Sequence, residues 1–163
     1  MNKILNSGFT LIEVLITLIV FSIGLLGLAN LQGQSINSSY NAHLRTQATS
    51  LASSMIDRMR ANRQQATSTQ DYITGFGDEP TSLTKNYVTS NCSPNEIAQL
   101  DLLEWKCNLG KYEPKSYCAG LVSQATLPGG DGEIIRVAGQ TQISVSWTDT
   151  SGEQHSVSMY SDL

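Results

Sequence analysis

Between Phe9 and Leu31 the chain carries 23 residues with a single charge, that of Glu13. As an α-helix this segment spans about 34 Å, close to the roughly 30 Å hydrocarbon core of a bilayer. It reads as a membrane anchor, and its acid is the anomaly. An ionised carboxylate in hydrocarbon costs at least about 2 kcal/mol, so a chain that keeps one there needs a reason. A secretory signal peptide places its small-residue cleavage site after the apolar run; here Gly8 comes before it. Cutting there removes a leader, Met1 to Gly8, and leaves the anchor on the mature protein. An uncleaved single-pass anchor is the plainer alternative. Lys3 is the one cation on the short side, and Arg45 is the first beyond the anchor. The short leader favours an N-terminus inside the cell and a domain outside it.

The remaining charge is unevenly distributed. Gln32 to Arg63 holds four arginines (Arg45, Arg58, Arg60, Arg63) and one acid, Asp57, whereas Gln64 onward holds five cations and twelve acids. An acidic head argues against nucleic acid as a partner. It suits a soluble outer face packed around a more basic stem.

No proline precedes Pro80, so the anchor can continue as one helix into the polar segment behind it. Tyr40, Leu44, Ala48, Leu51, Met55 and Met59 recur at three- and four-residue steps, with Ala52 and Ile56 beside them. That is one apolar stripe on a helix, predicted to end near Asn62 to Ala66. The organisation expected is a leader over 1–8, a transmembrane helix over 9–31, its amphipathic continuation over 32–64, and a head over 65–163. Gly24, Gly27 and Gly33 interrupt the long helix. Each costs about 1 kcal/mol against Ala, which marks a place to bend or locally melt; close packing of neighbouring membrane helices explains them equally well.

Gln64 to Ser90 reads as loop with one short strand, punctuated by Gly75, Gly77 and Pro80. Ser93-Pro94-Asn95-Glu96 is a capping box with proline at the first helical position. Ala98, Leu102, Trp105 and Leu109 follow at helical spacing, and Gly110 stands where a C-terminal cap belongs. A helix is therefore expected over 94–109 and an irregular loop over 111–125. Pro128 to Gly132 reads as a tight turn. Beyond it the hydrophobic period becomes two, predicting strands over 133–138, 141–148 and 153–160 in an antiparallel meander. A sheet wet on one face needs cover on the other, and the stripe of the long helix supplies it. The fold class is α+β.

The residues offer little for catalysis. His43 lies on the long helix and His155 on the last strand, and neither has a nucleophile motif beside it. Asp101 and Glu104, three apart on a helix, are explained by a solvated helix face rather than by paired acid–base work. PGGDG precedes a strand, whereas phosphate cradles precede helices. The expectation is a protein that is not an enzyme and needs no cofactor or metal, since the cysteine spacing matches no zinc pattern. Of the three cysteines, Cys92 and Cys107 would lie about 20 Å apart along the predicted helix. Cys107 with Cys118 is preferred, closing a short loop worth about 3 kcal/mol; Cys92 with Cys118 is the rival. One thiol is left over.

GFTLIEVLITLIVFSIGLLGL resembles the N-terminus of type IV pilins and of the type II secretion pseudopilins: a glycine, an aromatic, Thr-Leu, and a glutamate fifth in the mature chain. LLGLANLQ, DRMRANR at 57–63, DLLEW at 101–105, LPGG at 127–130 and the strand ending in Trp147 are similar to the PilV, or type IV pilus modification protein, family of minor pilins. The stretch Cys107 to Ala125 is longer than that family leads one to expect. The resemblance implies a long N-terminal helix packed on an antiparallel sheet. It also implies Gly8-Phe9 as the prepilin peptidase site, Phe9 as the N-methylated first residue, and Glu13 docking on the free amine of Phe9 in a neighbouring subunit. The implied partners are other minor pilins, the major pilin, the prepilin peptidase, the inner-membrane assembly machinery and the lipid bilayer. The implied place is the bacterial inner membrane, head in the periplasm, and then the pilus, in priming, adhesion or twitching. A type II secretion pseudopilin is the nearest alternative; a membrane-anchored thiol oxidoreductase using the spare cysteine is a different class.

Overall fold

The computed structural model describes residues 10–82, 91–122 and 125–163. The chain divides into two units, the first ending at Asn41 and the second running Ala42–Leu163. The first unit is the N-terminal part of helix α1, Leu11–Ala61. From Thr10 to Tyr40 every residue is exposed. Gly24, Gly27 and Gly33 all lie inside the helix, which carries on through them, and a Cβ placed on any of the three would meet nothing within 4 Å. These glycines therefore accommodate no neighbour among the described residues.

In the second unit the predicted stripe is buried: Leu44, Ala48, Ala52, Met55, Ile56 and Met59 enter the core. Tyr40, which the periodicity placed on the same stripe, is 39% exposed and falls in the first unit. Helix α1 stops at Ala61, and a second helix, α2 (Arg63–Ser68), follows where a loop was expected. Its Arg-Gln-Gln-Ala start consists of good helix formers, and buried Ala66 pins it to the core. The one short strand expected in the following loop reduces to a single bridge, Thr74 to Ile134, with hydrogen bonds of 3.1 and 2.8 Å. Residues 83–90 of that loop lie outside the described residues.

Helix α3 runs Pro94–Leu109. Its capping box is complete: the Glu96 amide donates to Ser93 Oγ, and the Ser93 amide donates to Glu96 Oε2 at 2.8 Å. Gly110 takes a left-handed φ of 127° at the other end, where only glycine is unstrained. A 3₁₀ turn at Ser116–Cys118 interrupts the loop that follows. Cys107 and Cys118 are joined by a disulfide with their Cα atoms 5.6 Å apart, and Cys92 takes no part in it. Leu103, Cys107, Tyr112 and Cys118 form a small cluster separate from the main core.

Three antiparallel strands follow in sheet order β1 (Asp131–Val137), β2 (Gln140–Thr148) and β3 (Gln154–Ser161). Ile134 sits across from Ile143, which sits across from Met159; Val145 lies opposite Val157. This face joins the α1 stripe, Trp105, Leu109 and Trp147 in one core cluster. A long helix packed on an antiparallel sheet is the architecture expected from periodicity alone. The strand boundaries shift by one or two residues, and two of the shifts have a clear physical cause. Ala138 is not the end of a strand; with Gly139 it forms a two-residue turn with φ of 52° and 86°, the left-handed pair that hairpins favour. And β1 begins at Asp131, inside the expected turn. Gly132 is strand backbone pressed against α3, where a Cβ would strike the ring of Trp105 and come within 2.7 Å of Leu109 Cδ1.

Candidate functional site

The sequence put its functional weight on Gly8, Phe9 and Glu13. Gly8 and Phe9 lie outside the described residues. Glu13 stands in the first turn of α1, where its amide donates to the Thr10 carbonyl at 3.1 Å. A carboxylate near a helix N-terminus sits at the positive end of the helix dipole. Its side chain has no hydrogen-bond or ion-pair partner among the described residues, whereas Thr17 and Ser22 are satisfied locally. Thr17 Oγ1 donates to the Val14 carbonyl at 2.8 Å, and Ser22 Oγ donates to the Leu18 carbonyl at 2.7 Å. Around Glu13 the helix is apolar on all sides, with a mean hydropathy of 2.6 over its best 18-residue window and none of that window buried. Leu11 is 80% exposed. A helix that is apolar all round is made for burial in lipid or in other helices, and a solitary acid on it is poised for a cation that the described residues do not supply.

The head contains two charge clusters that sequence reasoning missed or misread. Asp101 and Glu104 are not a solvated pair. Arg58 Nη1 of α1 donates to Asp101 Oδ1 at 3.0 Å and to Glu104 Oε2 at 2.7 Å, and the Tyr72 hydroxyl donates to Asp101 Oδ2 at 2.7 Å. Asp101 is buried. Burial, with the Asp101 carboxylate alongside, pushes the Tyr72 hydroxyl well above the ordinary phenol range. Burial lowers the pKa of Arg58, but bonds to Glu104 and Asp101 outweigh it and raise it. The signal was present in the basic stem and acidic head, and in the i, i+3 spacing of the acids, which aims both at one cation.

The second cluster had no such signal. Lys106, 1% exposed, donates from Nζ to Asp131 Oδ1 at 2.9 Å and to the Gly75 carbonyl at 2.8 Å. Lys111 Nζ and the Gly77 amide donate to the other oxygen, Asp131 Oδ2, at 2.8 and 2.7 Å. Burial tends to raise the Asp131 pKa, but Lys111, Lys106 and the Gly77 amide together hold it below the usual carboxylate range. Desolvation in turn lowers Lys106. The knot fixes α3, the start of β1 and the loop around Gly75 to one another.

At the β2–β3 hairpin, Asp149, Glu153 and His155 bring ligand atoms within 4.8 Å of one another. The arrangement is accounted for as a hairpin lock. Asp149 Oδ1 accepts from the amides of Ser151 and Glu153 at 2.8 and 3.0 Å, and Oδ2 lies 3.1 Å from His155 Nε2. Bonds from Ser151, then His155, hold the Asp149 carboxyl far below its usual range. His43 lies elsewhere, on exposed α1 beside Gln47.

Two family models match the chain. The prokaryotic N-terminal methylation motif covers residues 5–29, which include Gly8, Phe9 and Glu13, and the type IV pilin Tt1218 model covers residues 30–103. No curated protein and no solved structure matches it significantly. The two matches abut, and the second carries the pilin signature through the stem helix and most of α3. With a methylation motif, an apolar helix bearing one acid, and that helix continuing into a stripe packed on a three-stranded antiparallel sheet, the chain is similar to the type IV pilins over residues 5–103 and has an architecture consistent with their fold.

Proposed function

We propose that the chain is a minor pilin of the PilV kind, cut after Gly8, methylated on Phe9, and added by its helix to a pilus as part of a priming or tip complex. It sits first in the inner membrane with its head in the periplasm. It acts by assembly rather than by catalysis, and its effects on adhesion or twitching follow from the filaments it helps to start. The observation that carries the reading is Glu13: an acid with no partner among the described residues, on an apolar helix surface that none of those residues covers. Removal of the leader frees the amine of Phe9, and that amine on a neighbouring subunit is the cation Glu13 lacks. Processing and assembly are thereby linked through one charge pair. In low dielectric such a pair holds only while both members are present, and removing one costs about 3–5 kcal/mol.

The decisive measurement is the N-terminal residue and mass of the chain extracted from membranes of a strain with an active prepilin peptidase. A methylated Phe9 is expected; a chain that still begins at Met1 overturns the proposal. Deleting the gene is expected to reduce surface pili. Loss of secreted enzymes with pili intact would assign the chain to a type II secretion system instead.

A further inference from the structure

The two edges of the sheet are treated differently. The outer side of β1 is occupied: Thr74 exchanges both backbone hydrogen bonds with Ile134, and Arg136 Nη2 reaches across to the carbonyls of Ala66 and Thr69. Strand β3 pairs with β2 alone, through eight consecutive residue pairs from Gln154 to Ser161 without a bulge. Its other side has no hydrogen-bond partner among the described residues. Proteins guard such an edge with Lys, Pro, a bulge or a short strand. This edge has none of these; Gln154 to Ser161 holds no Lys, Arg, Asp, Glu or Pro.

We propose that the free edge of β3 is a docking site that accepts an extended segment of another protein as a fourth strand. Main-chain hydrogen bonds would give the attraction and alternate side chains the selectivity. On one face the incoming strand meets the exposed serines Ser156 and Ser158; on the other it meets Val157 and Met159, half-buried at the rim of the core. Alternating hydroxyl and β-branched residues suit both faces. The ends of the strand decide the partner. Glu153 and Asp162, both exposed, bracket β3. Antiparallel pairing of β3 along its whole length with β3 of a second copy brings Glu153 of one chain beside Asp162 of the other, carboxylate against carboxylate. A strand flanked by Lys or Arg meets them with opposite charge. The occupant is therefore a foreign strand, uncharged in its middle and basic at its ends. This inference stands independently of the assembly role proposed above.

The test uses the full mature chain in detergent with two blocked peptides, Lys-Thr-Val-Thr-Val-Thr-Val-Lys and its Glu-flanked analogue, followed by hydrogen exchange over residues 154–161. The Lys-flanked peptide is expected to protect β3 amides. The Glu-flanked one should bind about tenfold more weakly, the scale of two exposed charge pairs. The double variant Glu153→Lys/Asp162→Lys, which leaves the core untouched, is expected to invert that preference. No added protection in β3 with either peptide at about 1 mM, or equal protection by both, overturns the proposal. So does protection that rises with protein concentration alone, which would make a second copy the occupant.

Discussion

Gly27 and Gly132 are the same residue used for opposite ends. A Cβ on Gly27 meets nothing within 4 Å among the described residues, and a Cβ on Gly132 collides with the indole of Trp105. The contrast extends to the two units that hold them. In the first, apolar side chains lie on every side of α1 and all are exposed; in the second, the same helix shows a narrow stripe, and Ala48, Ala52 and Met55 are fully buried. The head has satisfied its apolar surface internally. The N-terminal stretch has left its own to be satisfied by a bilayer or by other subunits. Substitutions in the head should therefore register as stability, and substitutions in the anchor as assembly.

The largest expected break in that division is at Glu13. Glu13→Ala should leave leader removal and the melting temperature of the head unchanged, yet nearly abolish recovery of the chain in sheared pili. Immunoblots of the pilus and membrane fractions measure this, and normal recovery would refute the charge pair. Next comes Asp131→Asn, which strands the ammonium of buried Lys106 and should destabilise the head by about 3 kcal/mol, read by denaturant unfolding. The same variant carries a pH signature. The folded carboxyl of Asp131 titrates below its ordinary 3.8. Its contribution is thus present above that value and is lost as pH falls below it toward the depressed folded value. The acid limb of the stability profile should be flatter in Asp131→Asn. Gly132→Ala, which must displace Trp105, should cost about 1–3 kcal/mol. Gly27→Ala should be the mildest for the head, with no change in its melting temperature and a gain of about 1 kcal/mol in local helix stability. Any defect it causes in pilus assembly would assign that glycine to bending or to contact between subunits.

The sequence was most legible where local chemistry alone decides the outcome. Both ends of α3 follow from Ser93, Glu96 and Gly110, and the α1 stripe and alternation in β2 follow from spacing that a buried face requires. It was least legible where distant segments decide. Asp101 and Glu104 look like solvated acids until Arg58, more than forty residues earlier, is seen between them. Nothing in the spacing marks Lys106, a cation in the last turn of a helix, for burial, and only the fold shows it 1% exposed against Asp131. Gly132 seemed to belong to a turn because its neighbours Pro128 and Gly129 do; the constraint that demands glycine there comes from Trp105. For the candidate site the position of Glu13 was readable from the run around it, because an isolated acid in a lipid-length segment is anomalous whatever the fold.

The staple between Cys107 and Cys118 gathers Leu103, Tyr112 and Tyr117 into a cluster apart from the main core, while Leu109 inside it belongs to that core and Lys111 to the Asp131 knot. The loop thus carries its own foundation. Residues 113–117 can therefore drift in length and composition, or be replaced by a displayed epitope, without any repacking beneath the sheet, so this is the part of the head best placed to diversify its surface.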